Sequence, residues 1–112
     1  MRDPRERLQD ILEAIQNIRR HTSAGRQAFE LDELVQSWCV RHLQIIGEAA
    51  RSLPDEIRDS IPGIPWSDII GMRHVLVHNY FGIDTELVWN VVENRLDPLK
   101  TTIEAFLKQQ PE

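Results

Sequence analysis

Arg73, His74, His78 and Tyr80 fall within eight residues, in a run otherwise occupied by Ile69, Ile70, Val75, Leu76, Val77 and Phe81. A guanidinium holds phosphate through paired donors, an imidazole carries protons near neutral pH, and a phenol can accept a transferred group. Together they suit a partly buried site. Metal-free RNA cleavage needs a base for the 2'-hydroxyl, an acid for the departing 5'-oxygen and a cation for the phosphorane between them. His78 fits the base or acid, and Arg73 fits the clamp.

Their spacing sets a geometric problem. At roughly 100° per residue, Arg73 and Tyr80 project nearly the same way on a helix, whereas Arg73 and His78 lie roughly 140° apart. Either the helix loosens before His78, or two copies meet across a two-fold axis and share the site. A purely structural reading pairs Arg73 with an acid such as Glu48 and leaves His78 and Tyr80 to cap and pack a helix end. His74 and His78 also stand four apart, a spacing at which two imidazoles can share a metal. However, Val75 occupies the place of the base in the zinc hydrolase pattern, and no third ligand is evident, so no metal is expected.

The elements that must hold these residues read as helices. Leu8, Ile11, Leu12, Ile15 and Ile18 recur at three and four, with Asp3 as N-cap and Pro4 at the first helical position. This helix should end near His21 to Gly25. A second begins at Asp32 and runs to Leu53 with a wide apolar arc, which predicts a central post between neighbours. Pro54, Pro62, Gly63 and Pro65 then break the chain, although Asp55 to Ser60 can form a turn or two. Pro65 suits the start of a third helix, which should carry the Arg-His-Tyr stretch and end near Gly82. Asp84 caps a fourth, running through Leu107 with a kink at Pro98. The expected architecture is all-α: an up-and-down bundle of four main helices in one domain, residues 1–112, the last helix kinked.

A chain of 112 residues, 41% hydrophobic and 28% charged, lies in the ordinary globular range. At that size, pairing with another subunit is a natural way to bury more apolar surface. The net charge of -5 argues against open, non-specific binding to a polyphosphate, but not against a local cluster in a cleft. Lys100 and Lys108 are the only lysines, so the other eleven basic residues are arginines, the better phosphate fork. Cys39 is alone, which fits a reducing, cytoplasmic setting and a core-filling role. The charged start from Met1 to Arg7 does not read as a signal peptide, and no run reaches membrane-spanning length.

Arg73, four intervening residues, His78, one residue and Tyr80 resemble the R-x4-H-x-Y motif of the HepT toxins, members of the HEPN superfamily. Leu43-Gln44-Ile45-Ile46-Gly47-Glu48-Ala49-Ala50, Ile64-Pro65-Trp66, Gly71-Met72-Arg73 and Val77-His78-Asn79-Tyr80-Phe81 are similar to that family's usual sequence. The likeness runs from about Arg5 to Leu107. It implies a HEPN-like helical homodimer with its cleft at the subunit interface, and a metal-independent endoribonuclease acting on tRNA or mRNA without a cofactor. Arg73 and His78 would be its catalytic pair, with His74, Asn79 and Glu48 as auxiliary candidates. The resemblance also implies a toxin–antitoxin partner, an MNT-type nucleotidyltransferase that transfers AMP to the motif tyrosine, here Tyr80. The family commonly has Asn directly after the Arg. His74 stands there instead and is open to roles as second proton carrier, phosphate contact or tolerated surface change.

The rival expectation is a non-catalytic helical subunit that binds a nucleotide or regulates a nucleotidyltransferase. Basic residues beside the cleft would favour RNA, with Arg19, Arg20, Arg26, Arg41 and Arg51 as candidates.

Overall fold

The computed structural model describes residues 3–72, 77–78 and 82–109, with the backbone alone at 77–78. Helix α1 spans Pro4–Thr22. The Asp3 carboxylate accepts from the Arg5 N–H at 2.8 Å, and Glu6 accepts from the Asp3 N–H at 3.2 Å, so two otherwise orphaned donors are satisfied. Leu8, Ile11, Ile15 and Ile18 form its buried stripe. At the far end Thr22 donates to the Ile18 carbonyl, and Gly25, at φ 96°, makes the turn that an L side chain would resist.

A short helix that the periodicity did not predict, α2 at Arg26–Glu30, follows. Its one buried side chain is Phe29, which packs on Trp89 with ring centroids 5.2 Å apart. Gln36 staples α2 to the next helix by donating to the Phe29 and Glu30 carbonyls at 3.0 and 3.2 Å.

Helix α3 spans Glu33–Arg51 and starts, as expected, on an Asp32 cap that accepts from the Leu34 and Val35 N–H groups. Trp38 in its first half donates to the Asn17 carbonyl near the end of α1 at 2.8 Å, so the two helices run antiparallel. Cys39, Leu43, Ile46 and Ala50 have no exposed surface. Contacts with α1, with α2 and with helices later in the chain make α3 the central post.

The proline-rich connection holds α4 at Asp55–Asp59 and leads to α5 at Trp66–Gly71. Trp66 Nε1 donates to the Arg58 carbonyl at 3.1 Å and ties the two together. The expected third helix stops here. Val77–His78 forms a short strand β1, paired antiparallel with β2 at Gly82–Ile83, with Val77 opposite Ile83 and His78 opposite Gly82. Gly71 weakens helix at the break, and the β-branched Val77 favours extended backbone.

Asp84 caps α6, Thr85–Asn94, by accepting from the Leu87 N–H at 3.0 Å. A separate helix α7, Leu96–Gln109, then begins after Arg95. The expected kink at Pro98 within one helix is therefore a break three residues earlier. Pro98 has no N–H for the Asn94 carbonyl and its ring would collide with that carbonyl; in the first turn of a new helix neither matters. Val88 and Val92 of α6 join Leu96 and Ile103 of α7 in one core with the α1 and α3 stripes. Arg19 of α1 pairs with Asp97 of α7 at 2.8 Å.

Candidate active site

The motif lies between the end of α5 and the start of α6, and the helices fix both ends of that span. Met72, 9% exposed, is sunk in the core directly before Arg73. Ile83 packs half-buried against the same core, and the Asp84 cap begins α6 one residue later. Between these anchors the His78 backbone pairs with Gly82, whose φ of 87° suits the hairpin to glycine. Loosening before His78, one of the two arrangements compatible with the motif spacing, is thus what the backbone shows. Arg73, His74, Asn79 and Tyr80 lie outside the described residues, as does the His78 side chain.

Gly47 positions this segment. A Cβ there would lie 3.1 Å from the Ile69 carbonyl oxygen and 3.7 Å from that of Ile70, so α5 approaches α3 backbone to backbone. That approach sets where the chain leaves α5. Its sequence signal was a lone glycine inside an otherwise strong helical pattern, a position that usually marks close packing.

Glu48, the neighbouring auxiliary candidate, is half-buried and receives two hydrogen bonds from Arg51, at 2.7 and 3.2 Å. The bond to Glu48, and then its charge, hold the Arg51 guanidinium more firmly protonated than usual. This pair is largely exposed and contributes little stability. Of the other arginines considered, Arg19 pairs with Asp97, Arg20 with Asn17 and Arg26 with Glu30. Arg51, one turn beyond Gly47, stands on the α5 side, whereas Arg19 and Arg20 lie at the opposite end of α3, beside Trp38. Arg51 at the end of α3 therefore shares no patch with Arg19 and Arg20.

Past Gly71 and Met72 opens a groove of about 870 Å³ between α5, α6 and α7. Ile69, Met72, Leu87 and Val91 contribute apolar walls, while Asp68, Asn90, Asn94 and Arg95 bring polar groups to it. Sequence reading passed over the last three, since single amides and one arginine on an amphipathic helix carry no pattern. Among the described residues, no three His, Cys, Asp or Glu side chains gather as a metal set, and no helix is long and apolar enough to cross a membrane.

The profile of the family described as Ribonuclease HepT-like matches residues 11–106, from the first buried stripe of α1 to the last of α7. Among curated relatives, a protein of Thermococcus cleftensis named "Probable ribonuclease HepT" is 35% identical over 108 residues, covering 96% of this chain and 98% of its own. A protein of Methanocaldococcus jannaschii, provisionally named an RNase, is 34% identical over 104 residues, 92% of this chain and 95% of the relative. One from Caldanaerobacter subterraneus, also provisionally named an RNase, is 32% identical over 111 residues, 98% and 99% of the two chains. No solved structure gives a significant match. With nearly full-length identity above 30% and a helix order that follows the matched span, the chain belongs to the HepT-like ribonuclease family of the HEPN group.

Proposed function

We propose that this protein is a metal-independent endoribonuclease toxin that cuts RNA through Arg73 and His78. The observation that carries the reading is the R-x4-H-x-Y spacing in a chain of this family. The anchoring of the motif's two ends by Met72 and Asp84 supports it, because a catalytic pair needs a fixed backbone.

In the proposed reaction His78 removes the proton of a 2'-hydroxyl, and the resulting oxygen attacks the adjacent phosphorus. Arg73 neutralises the phosphorane. The bond to the 5'-oxygen breaks, that oxygen takes a proton, and a 2',3'-cyclic phosphate and a 5'-hydroxyl result. The proton comes from a second imidazole, either His74 or the His78 of another copy in a two-fold dimer with a shared cleft. Asn79 and Glu48 are auxiliary groups around the pair. All of this takes place in one helical domain, residues 1–112, working in the cytoplasm on tRNA or mRNA.

Control falls to Tyr80. A nucleotidyltransferase antitoxin moves AMP from ATP to the phenol oxygen and releases pyrophosphate. The added phosphate occupies the Arg73 clamp and its bulk closes the site to RNA.

The test is cleavage of total RNA by unmodified protein with chelator present, comparing wild type with Arg73→Ala and His78→Ala and checking each fold by circular dichroism. Chelator-resistant cleavage lost in both folded variants is expected. Intact RNA after treatment with AMP-free wild type would overturn the nuclease reading and favour a non-catalytic binding subunit.

A further inference from the structure

Among the described residues, Leu31 and Leu34 are the large apolar side chains left open to solvent, 86% and 84% exposed. Leu34 begins a stripe on α3. Leu34, Trp38, Arg41, Ile45 and Glu48 recur alternately at four and three, and at roughly 100° per residue the first four project within roughly 60° of one another. That is the seam spacing by which one helix packs along another. Cys39, Leu43, Ile46 and Ala50 turn the opposite side of α3 to the core, so the stripe faces outward. Arg41 is exposed and makes no ion pair or hydrogen bond among the described residues, while Trp38 and Ile45 are half-buried. The Trp38 ring is held from beneath by its bond to the Asn17 carbonyl at 2.8 Å and by the His42 ring, with centroids 4.3 Å apart. Its exposed part is therefore presented in a fixed position.

We propose that this stripe is the surface on which a second copy of the chain docks, with the two α3 helices antiparallel about a two-fold axis that passes between Trp38 and Arg41. In that register Leu34 of each copy meets the partner's Ile45, and Arg41 lies against the partner's Trp38, cation on ring. Each contact occurs twice, as a self-complementary interface requires. The acidic start of each α3, with Asp32 and Glu33, comes to the end where the other copy carries Arg51, so the charges at the rim are complementary. A parallel pairing would instead set Arg41 on Arg41. RNA or an anionic membrane surface would meet Asp32 and Glu33 and leave the two leucines uncovered, so neither fits this face. The assignment stands on α3 alone and goes beyond the cleavage chemistry, because it says where two copies meet whether or not they cut RNA.

Two readouts, both taken without RNA, test the interface. In the first, the mass in solution is followed by sedimentation over a dilution series for wild type, Leu34→Asp and Arg41→Glu, exposed positions whose folds are checked by circular dichroism. Wild type is expected to be a dimer, and each substitution to raise its dissociation constant on the order of a hundredfold. In the second, Ser37→Cys and Thr101→Cys, both at exposed positions, are treated with a short bis-maleimide at neutral pH, where the buried Cys39 does not react. Ser37, close to the axis, is expected to link two copies, and Thr101 of α7 is not. A monomer at every concentration, or a dimer that neither substitution loosens, would overturn the assignment, as would linking through Thr101 but not Ser37. If a variant loses its helical signal, the cross-link alone decides. Since neither readout involves cleavage, failure of the interface leaves the ribonuclease reading standing, and wild type that cuts no RNA leaves the interface to be judged on mass and cross-link.

Discussion

Gly47 carries no functional group, yet the proposed chemistry depends on it. Gly47→Ala adds helix propensity of about 0.8–1 kcal/mol but asks the Ile69 carbonyl to give way at 3.1 Å. The two effects offset each other, so thermal unfolding should change little while cleavage falls as α5 shifts and carries Arg73 with it. Gly47→Leu cannot be accommodated so cheaply and should cost about 1–3 kcal/mol, read by denaturant unfolding. Cys39 makes a different residue-scale prediction. Burial pushes its thiol up from 9.0 to about 11. Because the folded pKa lies above the unfolded one, its stability contribution is complete below pH 9. It is lost between pH 9 and 11, on the order of 2–3 kcal/mol. Unfolding temperatures measured across that window should fall more steeply in wild type than in Cys39→Ala, and native Cys39 should resist alkylation at pH 8.

At the scale of elements, most of the helices could be read from residue patterns because their signals are local. The Asp3, Asp32 and Asp84 caps each start a helix where sequence places one. What could not be read depends on contacts distant in sequence. The α2 helix exists because Phe29 finds Trp89 and Gln36 finds the Phe29 and Glu30 carbonyls, and nothing in five residues announces those partners. The end of α5 at Gly71 and the strand at Val77–His78 went unforeseen because the apolar run fits a helix and a hairpin equally well. Pro98 signalled a disturbance correctly but not which residue would absorb it. If Gln36 fastens α2, Gln36→Leu should take the side-chain donor from the Glu30 carbonyl, leave the Phe29 carbonyl only the Asp32 N–H, and cost about 1–2 kcal/mol. Hydrogen exchange should quicken across Arg26–Glu30 while α1 is spared.

For the whole molecule, the net charge of -5 argues against an open grip through many phosphate contacts. Recognition through a local clamp should therefore show a shallow salt dependence. Log KM against log salt is expected to have a slope on the order of 1–3, well below that of a protein with six or more phosphate contacts. The family was legible in the R-x4-H-x-Y spacing, and the helix order agrees with it. The groove past Met72 was not legible, because Asp68 and Asn90 line it together only once α5 and α6 have both packed on α3. The proposed chemistry is tested most directly by the ends left on a single purified RNA cut in chelator. A 2',3'-cyclic phosphate and a 5'-hydroxyl, formed by wild type and absent with His78→Ala, are the predicted result. Ends bearing a 5'-phosphate, or equal cleavage by His78→Ala, would contradict it.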